Sequence, residues 1–147
     1  MGKNKTLRTR EAGVLVEQVC YRRIKRTDDS RVRAVKKNRT SEVMQKYNHT
    51  TSVRKFELMI AANFGPGAVV GTVTYDDRHL PADRKSAERR FRYFRQKLAK
   101  HYKARGVELV AFWSTEHKHG DGRWHHHFIL PSTGGDYDAI RAAWIYG

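Results

Sequence analysis

The sequence predicts an α+β fold in which helices cover a central antiparallel sheet. An apolar, β-branched run over 68–75 is followed by a long amphipathic helical pattern over 83–105, and two further apolar runs within 112–130 flank a glycine-bearing loop. A last helical pattern covers 137–145. The order is therefore strand, helix, strand, strand, helix, which gives the first five elements of a split βαβ plan of the ferredoxin or RRM type.

Residues 1–39 are predicted to form a basic N-terminal extension. Residues 1–55 hold 16 Lys and Arg against 5 Asp and Glu, so +11 of the chain's net charge of +15 lies there. Val14 to Ile24 could form an irregular strand. Residues 27–39 are predicted to be a loop or arm whose Arg and Lys side chains contact phosphates without reading sequence.

Thr40 to Phe64 is predicted to be helical, with Thr40 or Ser41 as the N-cap. The polar run at 48–52, NHTTS, could divide this helix into two pieces. The sequence Gly-Pro-Gly at 65–67 then ends it.

The strand over 68–75 is predicted to be central and buried because most of its positions are apolar. Asp76 and Asp77 follow it in a polar turn, where such residues more often hydrogen-bond the backbone than bind a metal. The helix over 83–105 begins near Asp83 and ends at Gly106. Its core stripe is predicted to be Ala87, Phe91, Phe94, Leu98 and Tyr102.

The hairpin over 112–130, FWSTEHKHGDGRWHHHFIL, carries the residues best suited to chemistry. Side chains alternate faces along a strand, so His125 and His127 share one face while His126, expected to pack or face solvent, lies on the other. Glu116 precedes the loop on the partner strand. It joins the two histidines only if the register turns it to their face, because a slip of one residue would turn it away.

Two imidazoles and one carboxylate form an incomplete coordination sphere that leaves room for water or a substrate oxygen. These ligand types are compatible with Mn, Mg, Fe or Zn. An isolated His-x-His pair is more often adventitious, but the acidic partner across the hairpin favours a metal site. Asp76 and Asp77 remain possible additional ligands.

The charge of the chain points to a polyanion as its partner. Nucleic acid is the leading candidate and a membrane surface the second. Cys20 is the single cysteine, which fits a reducing compartment. No signal peptide or bilayer-spanning stretch is evident, so a cytoplasmic location is expected.

In its second half, the chain resembles HUH-type rolling-circle replication initiators, in the bacterial, plasmid and phage branch related to filamentous-phage and microvirus replication proteins. The family's two histidines flank a bulky hydrophobic residue, and His125 and His127 match them in GRWHHHFIL, with His126 in the middle position. Glu116, in STEHKHGDGR, matches the carboxylate ligand, and Gly71 to Pro81 is similar to the first motif. The resemblance covers about residues 40–147.

The resemblance implies that 40–147 is the N-terminal portion of an endonuclease domain that nicks and joins single-stranded DNA at a replication origin. A divalent ion, Mn or Mg, would be held by Glu116, His125 and His127. A tyrosine would attack the phosphodiester and form a tyrosyl-DNA intermediate, and host replication machinery would be a further partner.

The family's nucleophilic tyrosine lies on a later helix, usually beside a lysine. The chain offers Tyr137 and Tyr146 after the histidines, and no lysine follows Lys118. Tyr146 is expected to be a packing residue, and the edge strand that would complete the sheet is missing. The chain is therefore interpreted as C-terminally truncated, with the catalytic tyrosine beyond Gly147, and as able to bind metal and DNA but to cleave poorly.

Two other readings stay open. A non-catalytic, RRM-like nucleic-acid-binding module has the same topology and could stack bases on Phe112 or Trp113, independently of metal. A purely structural zinc site could use His117 or His119, and removal of the metal would then unfold the chain.

Overall fold

The computed structural model describes residues 5–22, 40–117 and 122–147, and it confirms an α+β fold with two antiparallel sheets. These residues form two compact units, one up to Asn63 (unit 1) and one from Phe64 onward (unit 2). The assignment of 40–147 to an endonuclease domain stays a prediction, although residues 40–63 belong to the first of these units.

Unit 1 contains a hairpin and one long helix. Strand β1 (Lys5–Ala12) pairs with β2 (Leu15–Arg22) around a turn at Gly13, and α1 spans Glu42–Asn63. Two expectations were therefore incomplete. The interval predicted as one irregular strand is half of a regular hairpin, and β1 was missed because KTLRTREA is mostly polar.

Helix α1 passes without a break through the polar run at 48–52. The Thr50 hydroxyl donates to the Lys46 carbonyl and the Ser52 hydroxyl to the Asn48 carbonyl. Each hydroxyl is therefore satisfied by the carbonyl four residues earlier in the same helix. The predicted arm over 27–39 lies outside the described residues.

Unit 2 has the predicted order of elements and, in its described part, a three-stranded antiparallel sheet with the order β3-β5-β4. Its described elements are β3 (Val69–Thr74), a 3-10 turn (Asp77–His79), α2 (Arg84–Ala104), β4 (Phe112–His117), β5 (Trp124–Leu130) and α3 (Asp136–Ala143). The prediction of a central, buried strand over 68–75 was wrong, because β3 lies at an edge of the described sheet and its residues alternate between buried and exposed. The central strand is β5, which pairs with both others. The α2 N-cap is Asp83, whose carboxylate accepts from the Ser86 amide. All five residues of the predicted α2 stripe are buried.

The two faces of this sheet differ in character. One face, which carries Val73, His126 and Phe128, is buried with residues of α2 and α3 in the core. The opposite face carries Thr72, Glu116, His125 and His127, none of which is fully buried. Within unit 2 the polar side chains of the hairpin thus lie on the face that the two helices leave open. Among the described helices, none is both long and apolar enough to cross a membrane.

Candidate metal centre

The strand register brings the three predicted ligands together. Glu116 is paired with His125, and Ser114 with His127, so the carboxylate lies on the same face as both imidazoles. Nε2 of His125 and Nε2 of His127 each lie 3.8 Å from Glu116 Oε2. One ligand atom from each of the three residues can be chosen so that all lie within 4.8 Å of one another.

This spacing suits a small divalent ion. Ligands bound at about 2.1 Å and separated by tetrahedral or octahedral angles lie about 3 to 3.5 Å apart. The three side chains therefore need to move only slightly to share one ion. Their exposed fractions, 55% for Glu116, 25% for His125 and 49% for His127, keep the site open to solvent.

The other nitrogen of each imidazole is held by a neighbour. His125 Nδ1 lies 3.0 Å from the carbonyl oxygen of Arg123, which can only accept, so Nδ1 carries the proton and Nε2 keeps a free lone pair in the neutral ring. His127 Nδ1 lies 2.8 Å from Thr72 Oγ1 on β3. The Ser114 hydroxyl donates to Glu116 Oε1 at 3.0 Å. Such contacts orient metal ligands before an ion binds.

The middle histidine, His126, is a core residue. It is fully buried, with Nε2 2.8 Å from the Tyr75 hydroxyl and Nδ1 2.9 Å from the Thr115 hydroxyl. Burial, and secondarily the neighbouring charge of His125, lowers the pKa of His126 to about 4. A neutral imidazole can donate from one nitrogen and accept at the other, which matches two hydroxyl partners. His126 therefore packs, one of its two predicted environments, and takes no part in the candidate centre.

Asp76 and Asp77 do not join the cluster. The Asp76 carboxylate caps the short turn by accepting from the amide and Nδ1 of His79. Asp77 forms an ion pair with Arg123, whose guanidinium also donates to the Tyr75 carbonyl at 3.1 Å. Asp76 thus bonds the turn backbone, the role that was considered more common, whereas Asp77 pairs with a side chain at the start of β5. Sequence reasoning missed Arg123, which ties the start of β5 to the end of β3.

The alternative histidines and the tyrosines are placed differently from the cluster. The ring of His117 packs against Trp124 at 4.6 Å, and His119 lies outside the described residues. Tyr146 packs as expected. Its ring lies against the rings of Tyr75, His79 and Trp144 and against the guanidinium of Arg90. Tyr137 is 69% exposed at the start of α3.

Comparison with protein families matches residues 68–146, more than half of the chain, to the replication-associated protein ORF2/G2P family. No curated protein and no solved structure matched the chain. The matched range runs from β3 to α3 and includes all three residues of the candidate centre. This chain belongs to the replication-associated protein ORF2/G2P family.

Proposed function

We propose that the protein is a rolling-circle replication initiator of the HUH type, which nicks and joins single-stranded DNA through a tyrosyl-DNA intermediate. The observation that carries this proposal is the convergence of Glu116, His125 and His127, with ligand atoms within 4.8 Å of one another, in the segment that the family matches. Within unit 2 these side chains lie on the sheet face opposite the buried core.

The three side chains would hold a divalent ion, Mn or Mg, which when bound would polarise a scissile phosphate and stabilise the charge that develops on it. Glu116 supplies the negative charge that a pair of neutral imidazoles lacks. Thr72 and the Arg123 carbonyl hold the Nδ1 side of each ring, so that Nε2 points toward Glu116.

Tyr75 and Tyr146 are poorly suited to attack the DNA. Tyr75 is a poor nucleophile because it is buried, hydrogen-bonded to His126 and, chiefly through that burial, has its pKa raised to about 12. Tyr146 is held by ring contacts. In the family reaction a tyrosine oxygen attacks phosphorus and the 3′-oxygen leaves with the bonding electrons, which keeps the phosphodiester energy in the new bond.

Binding of Mn²⁺ tests the centre directly. We expect His127→Ala and Glu116→Gln each to weaken Mn²⁺ binding by about 100-fold or more, since the first removes a ligand and the second removes the negative charge among the three. His49→Ala and Glu108→Gln, which change exposed residues of the same types elsewhere, are matched controls. Equal Mn²⁺ affinity in all five proteins, measured by electron paramagnetic resonance of the free ion, would refute the assignment.

Two further measurements separate the remaining readings. Chelation should leave the circular dichroism of the chain unchanged, because the three ligands lie outside the core; unfolding would favour a structural zinc site. Incubation with Mn²⁺ and single-stranded DNA should give no covalent adduct on Tyr75 or Tyr146. An adduct on Tyr146 would contradict the packing role of that residue. Metal-independent DNA binding that is lost when Phe112 or Trp113 is changed to Ala would favour the RRM-like module.

A further inference from the structure

Unit 1, which precedes the family-matched range, contains a cleft of about 540 Å³ between one face of the hairpin and helix α1. Three arginines, two tyrosines and one glutamate give the cleft its chemistry: Arg8, Arg10, Arg54, Tyr21, Tyr47 and Glu17. Its volume is in the range of small-ligand sites.

The helix side of the cleft comes from a single stripe. Tyr47, Thr51 and Arg54 are spaced by four and three residues, which places them on one face of α1. This stripe passes through the polar run at 48–52, which the sequence suggested could divide the helix. A continuous helix thus presents an aromatic ring, hydroxyls and a guanidinium to the hairpin.

The hairpin side contributes a buried carboxylate between two guanidiniums. Glu17, only 5% exposed, accepts from Arg10 at 3.1 Å and from Arg54 on the helix. A guanidinium has five N–H donors, so one contact with a carboxylate leaves further donors for an anion. With Arg8 included, three positive charges face one negative charge, and the cleft has a net charge of +2.

The tyrosines add flat surfaces to this positive charge. The Arg8 guanidinium lies 5.5 Å from the centre of the Tyr21 ring and donates to its hydroxyl at 3.3 Å. Tyr47 is 64% exposed, so its ring can receive a planar group. A purely structural ion-pair network would need neither the surplus charge nor an exposed aromatic ring.

We propose that this cleft is a second nucleic-acid site that binds single-stranded DNA without metal, with a phosphodiester at the arginines and a base stacked on Tyr47. Unpaired bases expose the π-face that an aromatic side chain can stack on, whereas duplex DNA does not. The proposal rests on unit 1 alone and does not depend on the metal-dependent function proposed for unit 2.

Fluorescence anisotropy with labelled oligo(dT), in EDTA and with the full chain, tests the proposal. We expect Tyr47→Ala to weaken binding by about 5- to 20-fold, as for loss of one stacked base, with an unchanged slope of log affinity against log salt. Tyr47→Phe should bind as wild type. Because Ala is a better helix former than Tyr, Tyr47→Ala should keep α1 intact.

Arg8→Ala should weaken binding and lower the slope of log affinity against log salt by about 0.7. Lys55→Ala is the matched control, because it removes the same charge from an exposed position of α1 that does not line the cleft. It should change the affinity by less than about twofold. Glu17→Gln is a sharper test. It removes one negative charge from the cleft, but it also removes the carboxylate that holds Arg10 and Arg54 in place. We expect weaker binding; tighter binding would show that net charge alone acts, and would overturn the site.

The remaining outcomes also decide the question. Base stacking in the cleft would be contradicted if Tyr47→Ala bound oligo(dT) as tightly as the wild type. It would also be contradicted if this change weakened binding to duplex DNA or to anionic vesicles by the same factor. The cleft and the metal centre can therefore fail separately, since the first is measured without metal and the second by Mn²⁺ binding alone.

Discussion

Thr72 and His127 face each other across β3 and β5, and Thr72 Oγ1 lies 2.8 Å from His127 Nδ1. They are 55 residues apart in the chain and meet because the two strands pair in this register. The contact fixes the ring so that Nε2, 3.8 Å from Glu116 Oε2, points into the candidate centre. We therefore propose that Thr72 is a positioning residue, which acts through His127.

Thr72→Val should weaken Mn²⁺ binding by about 10-fold, because the ring of His127 loses the partner that orients it. Thr72→Ser keeps the hydroxyl and should restore the affinity to within about threefold. Both can be measured by titration of free Mn²⁺. Thr74→Val is the matched control, since Thr74 pairs with His125, whose Nδ1 is held by the Arg123 carbonyl instead. Unchanged Mn²⁺ affinity in Thr72→Val would show that His127 needs no such partner.

His126→Ala should lower the stability of unit 2 and leave Mn²⁺ affinity unchanged, the opposite of changes at the three ligands. It removes a fully buried ring and leaves the hydroxyls of Tyr75 and Thr115 without their imidazole partner. We expect the free energy of unfolding to fall by about 2 to 4 kcal/mol. Urea denaturation followed by tryptophan fluorescence reports on unit 2, since Trp113, Trp124 and Trp144 all lie there.

A Mn²⁺ titration without urea, added to the unfolding experiment, separates packing from metal binding. His126→Ala should keep the Mn²⁺ affinity of the wild type. His127→Ala should lose that affinity but keep the wild-type free energy of unfolding, because His127 is 49% exposed. His126→Leu restores volume but not the hydrogen bonds and should cost about 1 to 2 kcal/mol. Loss of Mn²⁺ affinity in folded His126→Ala would contradict the structural role of this residue.

The elements of unit 2 were predictable because their apolar residues follow clear periods. Phe91, Phe94, Leu98 and Tyr102 recur at helical spacing and are all buried. Alternation in the hairpin likewise separated His126 from its neighbours. The pairing of Glu116 with His125 was not predictable, since a shift of one residue would turn the carboxylate away and no local pattern sets that register.

Unit 1 was harder to read because tertiary contacts, not apolar periods, determine it. Arg10 and Arg54 join the hairpin to α1 through Glu17, and the sequence shows them only as charged residues. The turn at Gly13 approaches the helix so closely that an added Cβ would lie 2.2 Å from the Ala61 carbonyl oxygen. None of these contacts leaves a signal in hydrophobic periodicity.

Gly71→Ala should destabilise unit 2. Gly71 lies opposite Phe128, and an added Cβ would lie 2.5 Å from its Cζ. Phe128 is 3% exposed within the core, so its ring has little room to move. We expect a loss of about 1 to 3 kcal/mol in the free energy of unfolding, measured in urea. Val70→Ala, at a neighbouring position that is 74% exposed, should cost much less; equal costs would argue against overpacking.

Asp136 should make unit 2 sensitive to acid. It is 2% exposed, and burial alone would raise its pKa, but hydrogen bonds from the Thr133 hydroxyl and amide and from His101 outweigh burial and lower the pKa to about 2. A carboxyl whose folded-state pKa is depressed stabilises the fold above its unfolded pKa of about 3.9, and this contribution is lost as pH falls toward 2.

Asp136→Asn should therefore lower the free energy of unfolding by about 1 to 2 kcal/mol at pH 6. The difference from wild type should shrink between pH 4 and about pH 2, as wild-type Asp136 becomes protonated. Urea denaturation at several pH values, followed by tryptophan fluorescence, measures both. Asp138→Asn, at an exposed position in the same helical turn, is the matched control. A difference that is the same at pH 6 and pH 2.5 would mean that the amide disrupts packing, and that the charge of Asp136 contributes nothing.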